Sequence, residues 1–447
     1  MSNKGYRFAG DVEIKSINLV LSDGRSLDIS DMILEVNIYQ NMFEHYLRGN
    51  FVVEDALNLN NIIKGNKEAG IAGGFNGGEY IIISYRERTD PGYKGIAYKQ
   101  HMFALYETSN RRRISEFNES YMLSGISAEA YQTIPQKINK AYGRGSGSTI
   151  SKMIKSIVDE YVLTNDIKTI YRSARINKSL DIDETSGLHK YIIPSLSIDG
   201  SINFLANEAD SIDHYPYYIF FEDSSGFKFK NVPQMIADAP IDFTYTYFMS
   251  NVGESDTKEG VVQDDQYKII SYDILKDDNI LSNVKGGLFK AKTINLDILK
   301  KNKKEVIFDY NKESDNFQTV SDGKFAVEVV GDPVINLISS RTGHDNDVLF
   351  QKETALPKKT NTTLNRKLSY GKQLFNKIIQ VSIPGNSSIN VGGLIDLEFF
   401  IHNNIGTDKG NLDKSLSGQY LITKVRQKIT NDVFTTILEC ARTTNLL

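Results

Sequence analysis

The residues able to do chemistry in this chain are scattered rather than grouped. The six histidines are His45, His101, His189, His214, His344 and His402. No two stand four apart, the spacing that lets a pair of imidazoles share one metal ion on a helix face. They are expected at the surface or as satisfied structural groups. Cys440 is the single cysteine, which excludes an intrachain disulfide and a cysteine-based metal site. Its strand-like context reads as a small apolar core position. Carboxylates adjoin at Glu222-Asp223, Asp264-Asp265 and Asp277-Asp278. A glycosidase needs two carboxyl groups facing each other across a cleft, and chain neighbours point apart, so turn or solvated roles are expected for all three pairs. The glycine-rich run 65–78 lacks the Gly-Lys-Ser/Thr ending and the following helix that cradle a phosphate, and reads as a loop between strands. No Gly-x-Ser-x-Gly elbow occurs. The expectation is a non-enzymatic chain with no cofactor and no metal.

Basic residues cluster twice, at Arg111-Arg112-Arg113 and at Lys300-Lys301-Asn302-Lys303-Lys304. A guanidinium is a planar fork suited to bidentate pairing across an interface, so Arg111, Arg112 and Arg113 are candidate partner-contact residues. The lysine run reads as a solvated loop.

The elements that must hold these residues are mostly strands. Val12, Ile14, Leu19, Leu21, Leu27 and Ile29 flank Asp23-Gly24, a hairpin signal because both turn residues tolerate positive φ. Further strands are expected over 33–38, 47–53, 80–83, 101–106 and 119–126, a spacing typical of a barrel or sandwich. Residues 127–142 read as helical. Gly143–Gly147 is a breaker, and Ser148 is the expected N-cap of a helix whose apolar face carries Ile150, Met153, Ile154, Ile157, Val158 and Tyr161. A second amphipathic helix is expected over 201–210, followed by a hairpin of 217–221 and 227–232 around Ser224-Ser225-Gly226. Strand-like pieces return at 267–275, 291–296 and 305–310. Residues 345–364 read as a polar connector and 366–376 as a helix. Strands at 378–383, 394–400, 419–428 and 433–440 close the chain.

The bulk numbers fit a folded chain: at 447 residues, 40% hydrophobic and 24% charged, there is enough apolar material for about three domains. With 52 basic and 56 acidic side chains the formal net charge is −4, which gives no global footprint for nucleic acid. One cysteine fits a reducing compartment. The first ten residues contain no apolar h-region, so no signal peptide is expected, and no run approaches the length of a spanning helix.

Four segments resemble the central hub proteins of contractile-tailed (myovirus) phage baseplates, which are related to the hub part of VgrG-type spike proteins. Asp28-Ile29-Ser30-Asp31-Met32-Ile33-Leu34-Glu35, with Leu47-Arg48-Gly49-Asn50-Phe51-Val52-Val53-Glu54-Asp55, resembles the family's opening barrel. Asp199-Gly200-Ser201-Ile202-Asn203-Phe204-Leu205-Ala206, then Tyr218-Ile219-Phe220-Phe221-Glu222 and Gly226-Phe227-Lys228-Phe229, is similar to its α+β core. Ile383-Pro384-Gly385-Asn386, Val391-Gly392-Gly393, Ile395-Asp396-Leu397 and Ser417-Gly418-Gln419-Tyr420-Leu421-Ile422-Thr423-Lys424-Val425 resemble its final barrel. The likeness runs over about residues 12–446 and is weakest over 300–364.

The fold class this implies is α+β, mostly β: two tandem β-barrel-like domains with an intervening α+β domain and a smaller insert. The expected boundaries are 1–127 for the first barrel, 128–240 for the α+β domain, 241–300 with 366–447 for the second barrel, and 301–365 for the insert. The resemblance implies a homotrimeric, pseudo-sixfold ring in the virion baseplate, assembled in the host cytoplasm. Its partners would be a central spike protein, tail tube or tube-initiator proteins, baseplate wedge proteins and a tape-measure protein. DNA would pass through the channel without specific binding. The alternatives are a hub of a type VI secretion or other contractile injection spike, whose members usually carry a fused needle where this chain ends, and, from another class, a glycan-binding adhesin or a wall hydrolase.

Overall fold

A computed structural model describes residues 8–443, apart from 22–23, 60–62, 64–73, 76, 89–96, 144, 146, 165–175, 212–216, 239, 248–265, 278, 298–300, 314–333, 340–359, 401–411 and 432. The first β region holds β1 (Val12–Val20), β2 (Ser26–Asp28), β3 (Ile33–Asn41), β4 (Arg48–Asp55), β5 (Tyr80–Glu87), β6 (Lys99–Arg113) and β7 (Glu119–Ser127). Helix α1 (Ala128–Thr133) leads into an α+β region. This contains β8 (Lys137–Tyr142), α2 (Ile150–Ile157), β9 (Ser179–Ile182), β10 (Tyr191–Ser197), α3 (Ile198–Glu208), β11 (Tyr218–Asp223), β12 (Gly226–Asn231) and α4 (Val232–Asp238). Then come β13 (Ile241–Tyr247), β14 (Ser271–Lys276) and α5 (Ile280–Lys285). A separate three-stranded sheet is formed by β15 (Lys290–Asp297), β16 (Asn302–Asp309) and β17 (Val334–Ser339), with α6 (Tyr310–Glu313) and α7 (Thr360–Leu374) beside it. The chain returns through β18 (Ile378–Pro384), β19 (Leu394–Phe399), β20 (Gly418–Thr430) and β21 (Val433–Arg442).

The mostly-β α+β class holds, with one difference in how the β regions are built. Among the described residues they are not two separately closed barrels. One open ladder runs β14-β18-β21-β20-β3-β4-β7-β6-β5-β1-β2, and β19 joins it beside β20 with β13 outside. The link is β20. Its residues Gly418–Leu421 pair with β19, and after a bulge at Thr423 the same edge, Lys424–Thr430, pairs antiparallel with β3. A thirteen-residue strand is long enough for two partners in succession, and the bulge supplies the bend between them.

Core packing follows the ladder. Ile429 and Phe434, from the C-terminal hairpin, sit in the apolar cluster of the first β region with Ile17, Val36, Phe51 and Tyr85. Met42, from the first region, sits in the cluster of the second. The seam carries polar contacts too. The Tyr85 hydroxyl donates to Gln427 Oε1 at 2.5 Å and Arg426 Nε to Asn37 Oδ1 at 2.8 Å. The Phe434 amide donates to the Gly10 carbonyl at 2.8 Å, and the Gly385 amide to the Phe434 carbonyl at 2.9 Å.

The α+β region has its own core, in which Ile150, Met153, Ile154 and Ile157 of α2 meet Ile202 and Leu205 of α3 and the aromatics Phe220, Phe227 and Phe229. Two local expectations are corrected. Only the first half of 127–142 is helical; Lys137–Tyr142 is a strand because it pairs with β10. The N-cap of α2 is Thr149, one residue after Ser148, and its hydroxyl accepts from the Lys152 amide. Strands β9 and β10 are additional to the elements expected from sequence.

Gly385 shows how tightly the seam is packed. A Cβ built there would lie 2.1 Å from the Phe434 ring, which is buried and edge-on to Tyr85. Gly385→Ala should therefore lower stability by about 1–3 kcal/mol through overpacking. Urea unfolding should show an earlier midpoint with an unchanged slope; an unchanged midpoint would mean that the seam yields.

Candidate partner interface

Strand β6 has two halves with different surroundings. Lys99 to Ala104 pair with β5, and Phe103 to Arg113 pair with β7. From Tyr106 onward β6 has a neighbour on one side only among the described residues, so this half is an edge. Its pairing with β7 shifts register between Ser109 and Arg112, and Asn110 there takes φ 54°, a left-handed conformation that Asn tolerates. Such a bulge blunts the edge against strand addition.

All three candidate arginines lie on this edge, exposed, and the structure separates their roles. Arg111 pairs with Glu119 through Nη2 at 2.6 Å and Nε at 2.8 Å. Arg113 donates to the carbonyls of Ser115 at 3.1 Å and Glu116 at 2.6 Å. The Ser115 hydroxyl accepts from the amides of Phe117 and Asn118, at 3.3 and 3.1 Å. Arg111 and Arg113 thus brace their own hairpin. Arg112 is exposed and makes no ion pair or hydrogen bond among the described residues. The braced tip presents Phe117, 82% exposed, and Ile114, 53% exposed. Sequence reasoning missed both; the available signal was an apolar residue in a short loop between two strands, with nothing local to cover it.

Other sequence candidates resolve differently. Lys301 sits at the β15–β16 turn with φ 50°, and Lys303 pairs with Glu305 at 2.5 Å. Hydrogen bonds from Lys292 and Lys303 hold the exposed Glu305 carboxyl down at about 2. Lys301 and Lys303 are exposed as a solvated run requires, but the loop expectation is corrected: Asn302, Lys303 and Lys304 begin β16 because they pair with β15, and Lys300 lies outside the described residues. His45 lies 3.1 Å from both Asn203 and Asp199. His101 stacks between Tyr85 and Phe103, where burial, aided by Lys178 and Lys99, drives its pKa down to about 3. His189 stacks on Tyr191. These are structural histidines; His214, His344 and His402 lie outside the described residues. Cys440 is fully buried, and burial raises its thiol pKa. Among the described residues no group of three metal-ligating side chains occurs. Most of 65–78, all of Asp264-Asp265, and Asp278 lie outside the described residues, while Asp277 pairs with Lys377 at 2.9 Å.

The pair Glu222-Asp223 corrects a solvated expectation. Both are buried. Asp223 does serve the turn, accepting from the Ser225 amide at 2.7 Å and the Gly226 amide at 3.2 Å. Glu222 instead joins two regions of the fold. It accepts from the Leu47 amide at 2.9 Å and the Ser127 hydroxyl at 2.6 Å, both from the first β region. Lys178 reaches it at 2.5 Å and reaches Glu129 at 3.0 Å. Two buried carboxylates thus share one lysine. Burial pushes the Glu222 pKa up to about 7, with Lys178 opposing and Glu129 adding to the rise. Glu222 and Glu129 are fully buried and Lys178 nearly so, and the bonds they make among the described residues go to groups of the fold itself.

The sequence matches no protein-family model and no curated protein. The fold has solved counterparts. A tail protein from Neisseria meningitidis MC58 matches with a TM-score of 0.53 at 8% identity, over 95% of this chain and 96% of that one. The 43 kDa tail protein of prophage MuSo2 from Shewanella oneidensis matches with a TM-score of 0.51 at 8% identity, over 96% of this chain and 98% of that one. This chain therefore has the fold of these tail proteins, along essentially its whole length.

The buried cluster has a pH signature. Because the folded-state pKa of Glu222 lies above its ordinary value of 4.5, the folded protein holds that proton while the unfolded chain releases it. This group's contribution therefore falls as pH rises from about 4.5 to about 7 and is flat above. The unfolding free energy of Glu222→Gln, minus that of the wild type, should rise across that window in chemical denaturation. A difference independent of pH would show that Glu222 stays ionised.

Proposed function

We propose that this chain is a structural hub subunit of a contractile phage-tail baseplate and not an enzyme. The observation that carries the reading is the likeness of fold to two tail proteins over 95% and 96% of this chain. In this reading three copies form a ring. Each copy supplies two β regions, so a trimer offers six similar lobes and adapts a sixfold tube to a threefold spike. Closed symmetry satisfies every interface without open-ended polymerisation. The division into 1–127, 128–240, 241–300 with 366–447, and 301–365 belongs to the same proposal. Separate apolar clusters in the first β region, the α+β region and the second β region support it, although the two β clusters exchange residues across the seam and β15 (Lys290–Asp297) shares its sheet with the insert strands β16 and β17.

The partners in this proposal are the central spike, tail tube or tube-initiator proteins, wedge proteins and a tape-measure protein. The location is the virion baseplate, after assembly in the host cytoplasm. DNA passes through the channel without specific contacts, a role that needs no basic lining and suits a chain of net charge −4.

Negative-stain electron microscopy of the full chain, alone and co-produced with the neighbouring spike gene, tests this. The expected result is a threefold ring with six lobes and an open centre in at least one sample. Monomers in both samples would overturn the hub reading.

A further inference from the structure

We propose that copies of this chain join by main-chain strand pairing that repeats a seam each chain already contains. The outer half of β6 in one copy pairs antiparallel with β14 of the next, as β20 pairs with β3 within the chain, and the junction between copies is the looser of the two. Such a junction presupposes the ring proposed above.

The two β regions are one strand arrangement built twice. In chain order β1, β3, β4, β5, β6 and β7 correspond to β13, β14, β18, β19, β20 and β21. Their neighbours then match throughout, as β1-β5-β6-β7-β4-β3 in the first region and β13-β19-β20-β21-β18-β14 in the second. Neighbours in both orders are antiparallel except β13 and β19, which are parallel. A bulge matches as well. Strand β6 slips against β7 between Leu105 and Glu107, and β20 slips against β21 between Ile422 and Lys424. In each strand the slip follows directly on the stretch paired with β5 or β19.

Beyond the slip the two strands differ in what covers them. Residues 424–430 of β20 pair with β3, and Val425, Gln427 and Ile429 are buried there. The corresponding residues 107–113 of β6 have β7 alone as a neighbour among the described residues, and all but Ser109 are exposed. Strand β3 buries Val36, Asn37 and Ile38. Its counterpart β14 has β18 alone as a neighbour among the described residues and buries none of its own. Each open edge is thus the counterpart of one side of a pairing that the chain already makes, and a second copy supplies the missing side of both. Charge does not choose the partner, because both edges carry both signs. Strand β6 has Glu107, Arg111, Arg112 and Arg113, and the other edge has Asp273, half-buried Lys276, Asp277 and, on α5, Lys285. Arg111 and Asp277 are paired within their own copy, with Glu119 and Lys377. Unpaired main-chain groups along the two edges do the joining, and one step repeated head to tail closes a ring when its rotation allows.

The junction between copies is looser because β6 is not straight. From 424 to 430 β20 pairs without a slip on either side. Strand β6 slips a second time between Ser109 and Arg112, with Asn110 at φ 54°. A bulge interrupts the ladder locally, so fewer main-chain bonds cross between copies than within one.

Hydrogen exchange read by mass spectrometry, on the full chain alone and co-produced with the spike, tests the pairing. Peptides over 107–113 and 271–276 are compared between the ring and the chain dissociated by dilution. Exchange in both should slow about tenfold or more on assembly, while 35–41 and 424–430 stay protected in either state. Deleting Asn110 removes the extra residue opposite Tyr121 and straightens β6 without changing its register on either side of the bulge. The concentration at which rings half-dissociate in sedimentation should then fall about tenfold or more. A ring in which either 107–113 or 271–276 exchanges as fast as in the dissociated chain would overturn this pairing and leave the ring standing. An unchanged or higher half-dissociation concentration for the Asn110 deletion would overturn the looser junction. Wild type that sediments as a monomer with and without the spike would overturn the ring and the junction together.

Discussion

The structure depends on one strand edge being shared between two partners. Strand β20 gives its first residues to β19 and its last seven to β3, so the end of the chain completes the start. The Arg426–Asn37 hydrogen bond spans 389 residues of sequence. Closing so long a loop costs little more than closing a shorter one, because the entropy grows only with the logarithm of length. Its effect falls on rate, since pairings this remote form after local ones. The benefit is cooperativity. Without the β20–β21 hairpin the first core would lose the enclosed side chains of Ile429 and Phe434, and strand β3 would lose a ladder partner.

A second join holds the α+β region to that sheet, and it works by a different force. Glu222 is fixed by an amide, a hydroxyl and Lys178, which also reaches Glu129. A buried pair of this kind adds little net stability, because desolvation offsets the attraction. Its contribution is geometric: hydrogen bonds to Leu47 and Ser127 are satisfied in one relative placement of β11 against β4 and β7. Apolar packing tolerates small slips, whereas an unsatisfied buried carboxylate does not.

The sequence carried most of the strands because their apolar residues alternate and their turns use Gly, Asn and Asp. The failures have physical reasons. Strand β10 contains Pro194, which ordinarily argues against a strand, and the register slip between Ile193 and Leu196, with Ser195 at φ 54°, is how the proline is accommodated. Strand β8 has a sparse apolar pattern and is defined by its partner rather than by its own residues. The sharing of β20 is invisible to periodicity, which records that a strand exists and not what lies beside it. A turn or solvated role is expected for Glu222 from its neighbours in the chain, and adjacency to a turn says nothing of burial. His45, His101, His189 and Cys440 are buried among packing partners, as a structural reading of isolated residues leads one to expect.

The arginine run shows where a sequence signal stops and geometry begins. Three consecutive basic residues suggest one basic patch, yet alternate residues of a strand face opposite ways and a bulge redistributes them. Only Arg111 is neutralised, by Glu119; Arg113 bonds neutral carbonyls and keeps its charge, so the run presents two unpaired charges rather than three. Arg113 fixes two carbonyls of the tip and Ser115 caps two amides, so the loop is ordered before any partner arrives. A pre-ordered loop loses little conformational entropy on docking. The exposed Phe117 ring is therefore held in place by Arg113 and Ser115, a surface feature that the charge run alone does not reveal.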